Sequence, residues 1–321
     1  MIEILTTGQL NTIQDLGRPG YLAFGISHSG AMDRPALEVA NLLLGNDRMA
    51  AGIEVAYFPF RARFNVNCNV AVTGVDCQVL IGDRIYPSWW AVHIQQGQTI
   101  ILNRPRSGAR AYLAFAGGID VPLLMGSRAT DVKSGFGGLK GAGLTRGDRL
   151  NLMPGNKILL PEGGLGVKWA GQAENPGEPP ITIRVLPAAE FDDFTPESKH
   201  AFTTEIWIIT ANANRMGYHL NGSVLALAKP LELHSHGIVA GTVQVPRSGQ
   251  PIIQLADANT CGGYPKIATV IDADLYKLAQ ASATTPLRFS IASTDEAVNA
   301  ILMRRDAMTK LQIDLRLHLG Y

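Results

Sequence analysis

The chain has 321 residues, of which 46% are hydrophobic and only 17% charged, so it is globular rather than disordered and long enough for two domains. Lys plus Arg number 28 and Asp plus Glu 27, and the resulting net charge of +1 offers no field for gathering nucleic acid or an anionic membrane. The 34 glycines and 18 prolines suit short strands and many turns better than a helical bundle.

The N-terminal stretch MIEILTTGQL has no basic region followed by an apolar core, so no signal peptide is expected. No apolar run approaches the roughly 20 residues that span a bilayer. Cys68, Cys77 and Cys261 are too few, and odd in number, for a disulfide framework. A cytoplasmic protein without membrane or nucleic-acid partners is expected.

The first predicted element is a helix. Asp33 is its N-cap, Pro35 lies in its first turn, and Ala36, Leu37, Ala40, Leu43 and Leu44 form one stripe that Gly45 ends. Next, Phe64, Val66, Cys68, Val70 and Val72 alternate with Asn65, Asn67, Asn69 and Ala71, which predicts a strand with one face in the core and the other near water. Gly82-Asp83 reads as a hairpin turn, a further turn falls near Gly97, and Ala111, Leu113 and Phe115 share a strand face. Periodicity then fades, and residues 153–180 read as a linker.

Beyond the linker, ITIRVLP, EIWIITAN, VQVP and PIIQLAD read as strands, the last ending at Asp257. Thr195-Pro196-Glu197 starts a capped short helix, and Asp274 to Ala281 forms another. Ser293 with Glu296 forms a capping box that opens a helix from Thr294 to about Thr309. The expected organisation is an N-terminal domain over 1–152 and a C-terminal domain over 181–321. The class is mainly β with a few helices (α+β). TIQDLGRPG and TVQVPRSGQ share a Thr-x-Gln start, a weak sign that the two halves are related.

Four segments are richer in Gly and polar residues than strands require. In the first, Gln14, Asp15 and Arg18 lie on a turn, and Ser29 leads into the Asp33 cap. Free N–H groups at that helix start could attract an anion, or the segment is only a turn and a cap. The second, SGFGGLKGAGLTRGD, could cradle a phosphate with Lys140 or Arg146, but it matches no phosphate-loop spacing and reads more simply as a flexible surface loop.

The third runs from Glu232 to Val270. Asp257 is followed by Asn259, Thr260, Gly262, Gly263 and Tyr264, and an acid beside a Gly-rich turn can be held rigidly while N–H groups face an amide, carboxylate or phosphate. An Asx-type turn is the plainer alternative. His234 and His236 share a strand face, yet no third ligand stands at a characteristic spacing, so no metal is expected and His236 reads as a polar site residue. Cys261 reads as a small buried residue rather than a nucleophile. In the fourth segment, Asn214 and Arg215 beside Gly217 form a polar loop that reaches a ligand or merely turns the chain.

TIQDLGRPGYLAFGISHSGAMD, YLAFAGGIDVPLLMGSRATD, NRMGYHL and GTVQVPRSGQPIIQLADANTCGGYPKI, in that order, resemble the family of 5-oxoprolinase C subunits. The family is also known as biotin-dependent carboxyltransferase-like, as allophanate hydrolase subunit 2 and as the antagonist of a sporulation-kinase inhibitor. The resemblance runs from Ile4 to about Leu302. It implies two cyclophilin-like β-barrel domains, and an assembly completed by two further chains, the B and A subunits. It also implies ATP, with magnesium, used by the assembly to open the 5-oxoproline ring to glutamate, because a resonance-stabilised lactam needs activation. No Met-Lys-Met biotinylation context occurs, so no biotin is expected on this chain.

Under this resemblance Asp257 would position or polarise the small amide substrate, and Gln244 and Tyr264 would orient it. Gly262 and Gly263 would stabilise developing negative charge, and Arg215 or Lys266 would meet phosphate or carboxylate. Ala258 and Cys261 stand where the family usually has Arg or Gln and Thr. Two other functions stay open: a carboxyltransferase acting on urea or another amide with a biotin carrier, and a non-catalytic module that binds a kinase inhibitor.

Overall fold

The computed structural model describes residues 1–156, 158–169 and 179–320. It divides into two compact units, one of Met1–Arg18, Ser29–Ala173 and Asp306–Tyr321, the other of Pro19–His28 and Glu174–Arg305. Both are built mainly of strands, as expected. Among the described residues no helix is long and apolar enough to cross a membrane.

The first unit holds two six-stranded antiparallel sheets. One orders Arg149–Leu150, Ile2–Thr6, Phe60–Phe64, Thr99–Leu102, Val79–Ile81 and Arg84–Tyr86. The other orders Leu165–Gly166, Trp90–Ile94, Cys68–Asp76, Ser107–Phe115, Gly52–Val55 and Thr12–Gln14. Ile4, Phe60, Phe64, Val70, Leu113 and Phe115 belong to one core shared by both sheets. Successive strand residues point to opposite faces, so Tyr112 and Ala114 serve a second core with Leu37, Ala40 and Leu43 of the helix Arg34–Leu43. Each leucine buried there stabilises by about 1.5–3 kcal/mol. The helix is capped as expected, with the Ala36 N–H donating to Asp33 Oδ1 over 3.0 Å, and Gly45 at φ 62° stops it.

Two expectations in this unit need correction. Phe64 to Val72 is not one strand: Phe60–Phe64 ends, the chain bends, and Cys68–Asp76 begins, with Asn67 Oδ1 accepting the Gln96 N–H over 2.8 Å at the bend. Nor does Val66 join the core, being 37% exposed, while the opposite face meets water only at its start, through exposed Asn67 and half-buried Asn65 and Asn69. Ala71 packs under the helix, and Thr73 Oγ1 donates to the Ala36 carbonyl over 2.7 Å. Alternation reports one apolar face and is silent about what covers the other.

Part of the expected linker docks on the first unit. Leu165 pairs with Ala91 and Gly166 with Trp90, where a Cβ on Gly166 would stand 2.1 Å from the Trp90 ring. Trp169 is buried beside the helix. Residue 157 and residues 170–178 lie outside the described residues.

The second unit is a closed barrel in the order Ile181–Pro187, Lys266–Val270, Thr242–Gln244, Ile252–Gln254, Gly217–Asn221, Trp207–Ala213 and Pro286–Ile291. The first and last close it as a parallel pair. Ile183, Val185, Ile209, Val243, Ile253 and Phe289 are buried, and the Phe202 and Phe289 rings stack at 4.4 Å. Thr195 caps the helix Pro196–Thr204 by accepting the Ser198 N–H over 3.2 Å.

The Ser293–Glu296 capping box forms as read, with reciprocal bonds of 2.7 and 3.1 Å. Its helix continues past Thr309 to Leu319. Met308 and Leu315 are buried with the first unit's helix, and Ala297 with Ile271 and Ala292 of the second unit.

Candidate functional site

In the first unit, Gln14, Asp15 and Arg18 are buried against the protein's own backbone. Asp15 accepts three hydrogen bonds, from Gly17 N (2.7 Å), Ser127 Oγ (2.7 Å) and Arg128 N (2.6 Å). Gln14 Nε2 donates to Thr12 Oγ1 (2.9 Å) and to the Thr130 carbonyl (3.1 Å). The Arg18 guanidinium donates to the Ala129 carbonyl and lies 4.6 Å over the Phe136 ring. Ser29 is buried in the left-handed region (φ 50°), and Gly30 behind it packs on Gly17, where a Cβ would stand 2.6 Å from the backbone nitrogen. These residues clamp one turn onto the segment from Ser127 to Thr130.

The adjoining helix start is also internally occupied. The Asp33 N–H donates to Tyr112 Oη over 2.7 Å, and Tyr112 Oη and the Met32 N–H both donate to Glu54 Oε2, over 2.8 and 2.9 Å. Burial, with the Glu54 and Asp33 charges beside it, pushes the Tyr112 hydroxyl well above its ordinary value. The glycine-rich stretch from Ser134 to Asp148 is likewise tied down by backbone bonds, mostly to the segment before it, rather than a loose loop. Gly135, Gly138 and Gly141 donate their N–H groups to the carbonyls of Asp131, Arg128 and Gly137.

The second unit arranges its polar residues differently. PIIQLAD leaves the sheet after Gln254, three residues before Asp257, so the strand does not reach the acid. The Asp257 N–H donates to the Arg215 carbonyl over 2.9 Å. The carboxylate in turn receives a fork from Arg215, Nε to Oδ2 at 2.8 Å and Nη2 to Oδ1 at 3.0 Å, with side-chain exposures of 3% and 6%. Asp257 and Arg215 thus serve each other. Asn214 Oδ1 accepts the Met216 N–H over 2.8 Å, so it shapes its own turn.

Around the base of the following loop, His236, Gln244, Gly262, Tyr264 and Lys266 come together. His236 pairs with Gly262, and Gly237 with Cys261, in a two-stranded ribbon. On the barrel Gln244 pairs with Lys266. Gln244 Nε2 reaches toward the Tyr264 carbonyl at 3.5 Å, and its Oε1 accepts from Gln254 Nε2 at 3.1 Å. Gly262 lies on the Gln244 amide so closely that a Cβ would meet Nε2 at 2.7 Å. Thr260 gives its carbonyl to the Ile238 N–H over 3.0 Å.

Lys266 Nζ contacts His236 Nε2 and stands 3.3 Å from Glu190 Oε2. His236 Nδ1 lies 2.9 Å from the His234 carbonyl, an acceptor only, so Nδ1 carries the proton and Nε2 accepts from Lys266. Cys261 is exposed on the ribbon, a correction to its expected burial: two short strands have no second layer over them.

A cleft of about 790 Å³ lies beside this cluster, lined by Leu225, Leu233, His234, Arg247, Gly263 and Tyr264 among others. Val245 and Pro265, the chain neighbours of Gln244 and Lys266, also line it. The cluster offers amide and imidazole hydrogen-bonding groups, and its two cations are compensated, Arg215 by Asp257 and Lys266 by Glu190. Such a surface suits an amide group.

Two members were missed by motif reading. Gln254 carried a signal, since strand alternation sets it opposite the buried Ile253. Glu190 carried none, because it lies 76 residues from Lys266 in an ordinary turn before the short helical turn Phe191–Asp193.

Comparison with known proteins agrees with the fold. The family model described as carboxyltransferase domain, subdomain A and B, matches residues 24–291. The 5-oxoprolinase C subunit of Escherichia coli K12 is 41% identical over 99% of both chains. That of Haemophilus influenzae is 40% identical over 92% of this chain and 93% of its own. The urea amidolyase of Saccharomyces cerevisiae is 30% identical over 90% of this chain but only 16% of its own length. The crystal structure of Kluyveromyces lactis urea amidolyase superposes with a TM-score of 0.85 at 25% identity, covering 97% of this chain and 20% of that one. From its match to the family model and its full-length likeness to two 5-oxoprolinase C subunits, this chain belongs to the carboxyltransferase-domain family, subdomains A and B.

Proposed function

We propose that the chain is the C subunit of an ATP-dependent 5-oxoprolinase, acting with the A and B subunits to hydrolyse the lactam of 5-oxoproline to glutamate. One observation carries this reading: 41% identity over 99% of both chains with a 5-oxoprolinase C subunit, against 30% identity to a small part of a urea amidolyase. Fold alone would not choose between them, since one architecture serves different chemistries.

In this reading the second unit's cluster faces the amide. Gln244 and Tyr264 orient it, and the N–H groups around Gly262 and Gly263 meet the charge that develops on its oxygen. The Asp257–Arg215 fork holds the loop that carries these glycines. Lys266 and His236 supply the mobile proton. ATP and magnesium belong to the assembled enzyme. The Ser134–Asp148 glycines do not suit its phosphates, because several of their N–H groups are already bonded to carbonyls. The likeness to urea amidolyase favours one rival, transfer of a carboxyl group to urea from biotin carried on another protein.

The test is to purify the chain with the products of its neighbouring reading frames and measure glutamate released from 5-oxoproline. Release that requires ATP and all three polypeptides is the expected result. Biotin-dependent carboxylation of urea, without glutamate release, would replace this function with the rival.

A further inference from the structure

Resting on that reading, we infer that Glu190 is a positioning residue of the site, holding Lys266 so that its ammonium is the proton donor of the ring-opening step. Three segments distant in sequence meet here: the turn at Glu190, the ribbon at His236 and the barrel strand that begins with Lys266. Glu190 Oε2 accepts the Lys266 backbone N–H at 3.0 Å and also lies 3.3 Å from Nζ, so one oxygen grips both ends of the residue. The side chains are only 14% and 12% exposed.

A mostly buried ammonium needs a counter-charge, and Glu190 by itself meets that need. A structural ion pair has no use for a neutral imidazole as well. Yet His236 is held with its Nε2 lone pair toward Nζ, by the bond between its Nδ1–H and the His234 carbonyl. The result is a lysine with two of its donor directions fixed, next to the loop that lines the cleft.

Hydrolysis of a lactam breaks the ring C–N bond, and the electron pair stays on nitrogen. One water adds its hydroxyl to the carbonyl carbon, whose oxygen ATP has phosphorylated, and after the C–N bond breaks a second water releases the phosphate and leaves the carboxylate. The nitrogen needs one proton, which Lys266 gives; the proton that the first water loses returns to the lysine amine. Glu190 touches no reacting atom in this scheme and acts only through Lys266.

Glu190→Gln keeps an acceptor for the Lys266 N–H but removes the charge. In the assembled enzyme kcat should fall about 10- to 100-fold with KM little changed, and Glu190→Asp should recover part of the loss. A kcat close to wild type in Glu190→Gln would overturn the inference, and so would a rise in KM with kcat unchanged. A second readout is independent of activity. In the full chain treated with an acetylating succinimidyl ester, Lys266 should be modified several-fold faster in Glu190→Gln than in wild type, with the other lysines unaltered; an equal rate overturns the positioning. If the wild-type assembly releases no glutamate, the proposed function and the proton-donor role fail together, and the modification rate decides whether Glu190 positions Lys266.

Discussion

The two units carry the same Thr-x-Gln strand, Thr12–Gln14 in one and Thr242–Gln244 in the other, and put it to different uses. In the first, Gln14 and its neighbours Asp15 and Arg18 bond to the backbone and side chains of a packed turn. In the second, Gln244 meets Gln254, the Tyr264 carbonyl and the bare backbone of Gly262 beside a cleft. A polar motif therefore says little about function until its surroundings are known. Each glutamine bonds one side chain and one carbonyl, so the kind of partner does not separate the two; what does is the cleft lined by Val245 and Tyr264 next to Gln244.

The largest effect that would test this contrast is expected at Asp257. Asp257→Ala removes both oxygens of the fork from the buried Arg215 guanidinium, and about 3–5 kcal/mol of stability should be lost. Hydrogen exchange at Val243 and Ile253 in the full chain would report it. A small loss there, with activity abolished, would instead make Asp257 a direct participant and break the view that the fork is support.

Asp15→Ala comes next. It leaves two N–H groups and a hydroxyl without their acceptor, at a cost of about 2–4 kcal/mol. The loss should appear in first-unit exchange, with KM for 5-oxoproline unchanged in the assembly. A changed KM would show that the first unit also touches substrate.

The smallest effect concerns pH. Asp274 is fully buried beside Arg184 and Lys277. Burial works to raise its carboxyl, but the hydrogen bonds from Arg184 and the two cations outweigh it and hold the group below its usual 3.8. A depressed carboxyl contributes stability above its unfolded value that is lost as pH falls through the folded one. The advantage of wild type over Asp274→Asn should therefore be full at neutral pH and shrink below about pH 4. Asp15, whose hydrogen-bond donors are two N–H groups and a hydroxyl, has no such cation fork. An advantage of wild type over Asp274→Asn that persists undiminished to about pH 3 would contradict the ion-pair account.

Much of the fold was legible because its signals are local. The caps at Asp33, Thr195 and Ser293 each involve residues three positions apart, and all three form. Tight turns at Gly82 and Gly97 were readable because glycine accepts a positive φ that other residues resist. The site was legible only in outline. Asp257, Gln244, His236 and Lys266 were picked out by residue type, but their partners were not.

The amino-acid sequence by itself determined the mainly β class, the helix starts and the polar segments worth suspecting, since propensity, capping and alternation act within a few residues. Tertiary structure decided which segments became scaffold and which became a site. Arg215 finds Asp257 across 42 positions and Lys266 finds Glu190 across 76, and only the closing of the barrel brings such distant groups within hydrogen-bonding reach.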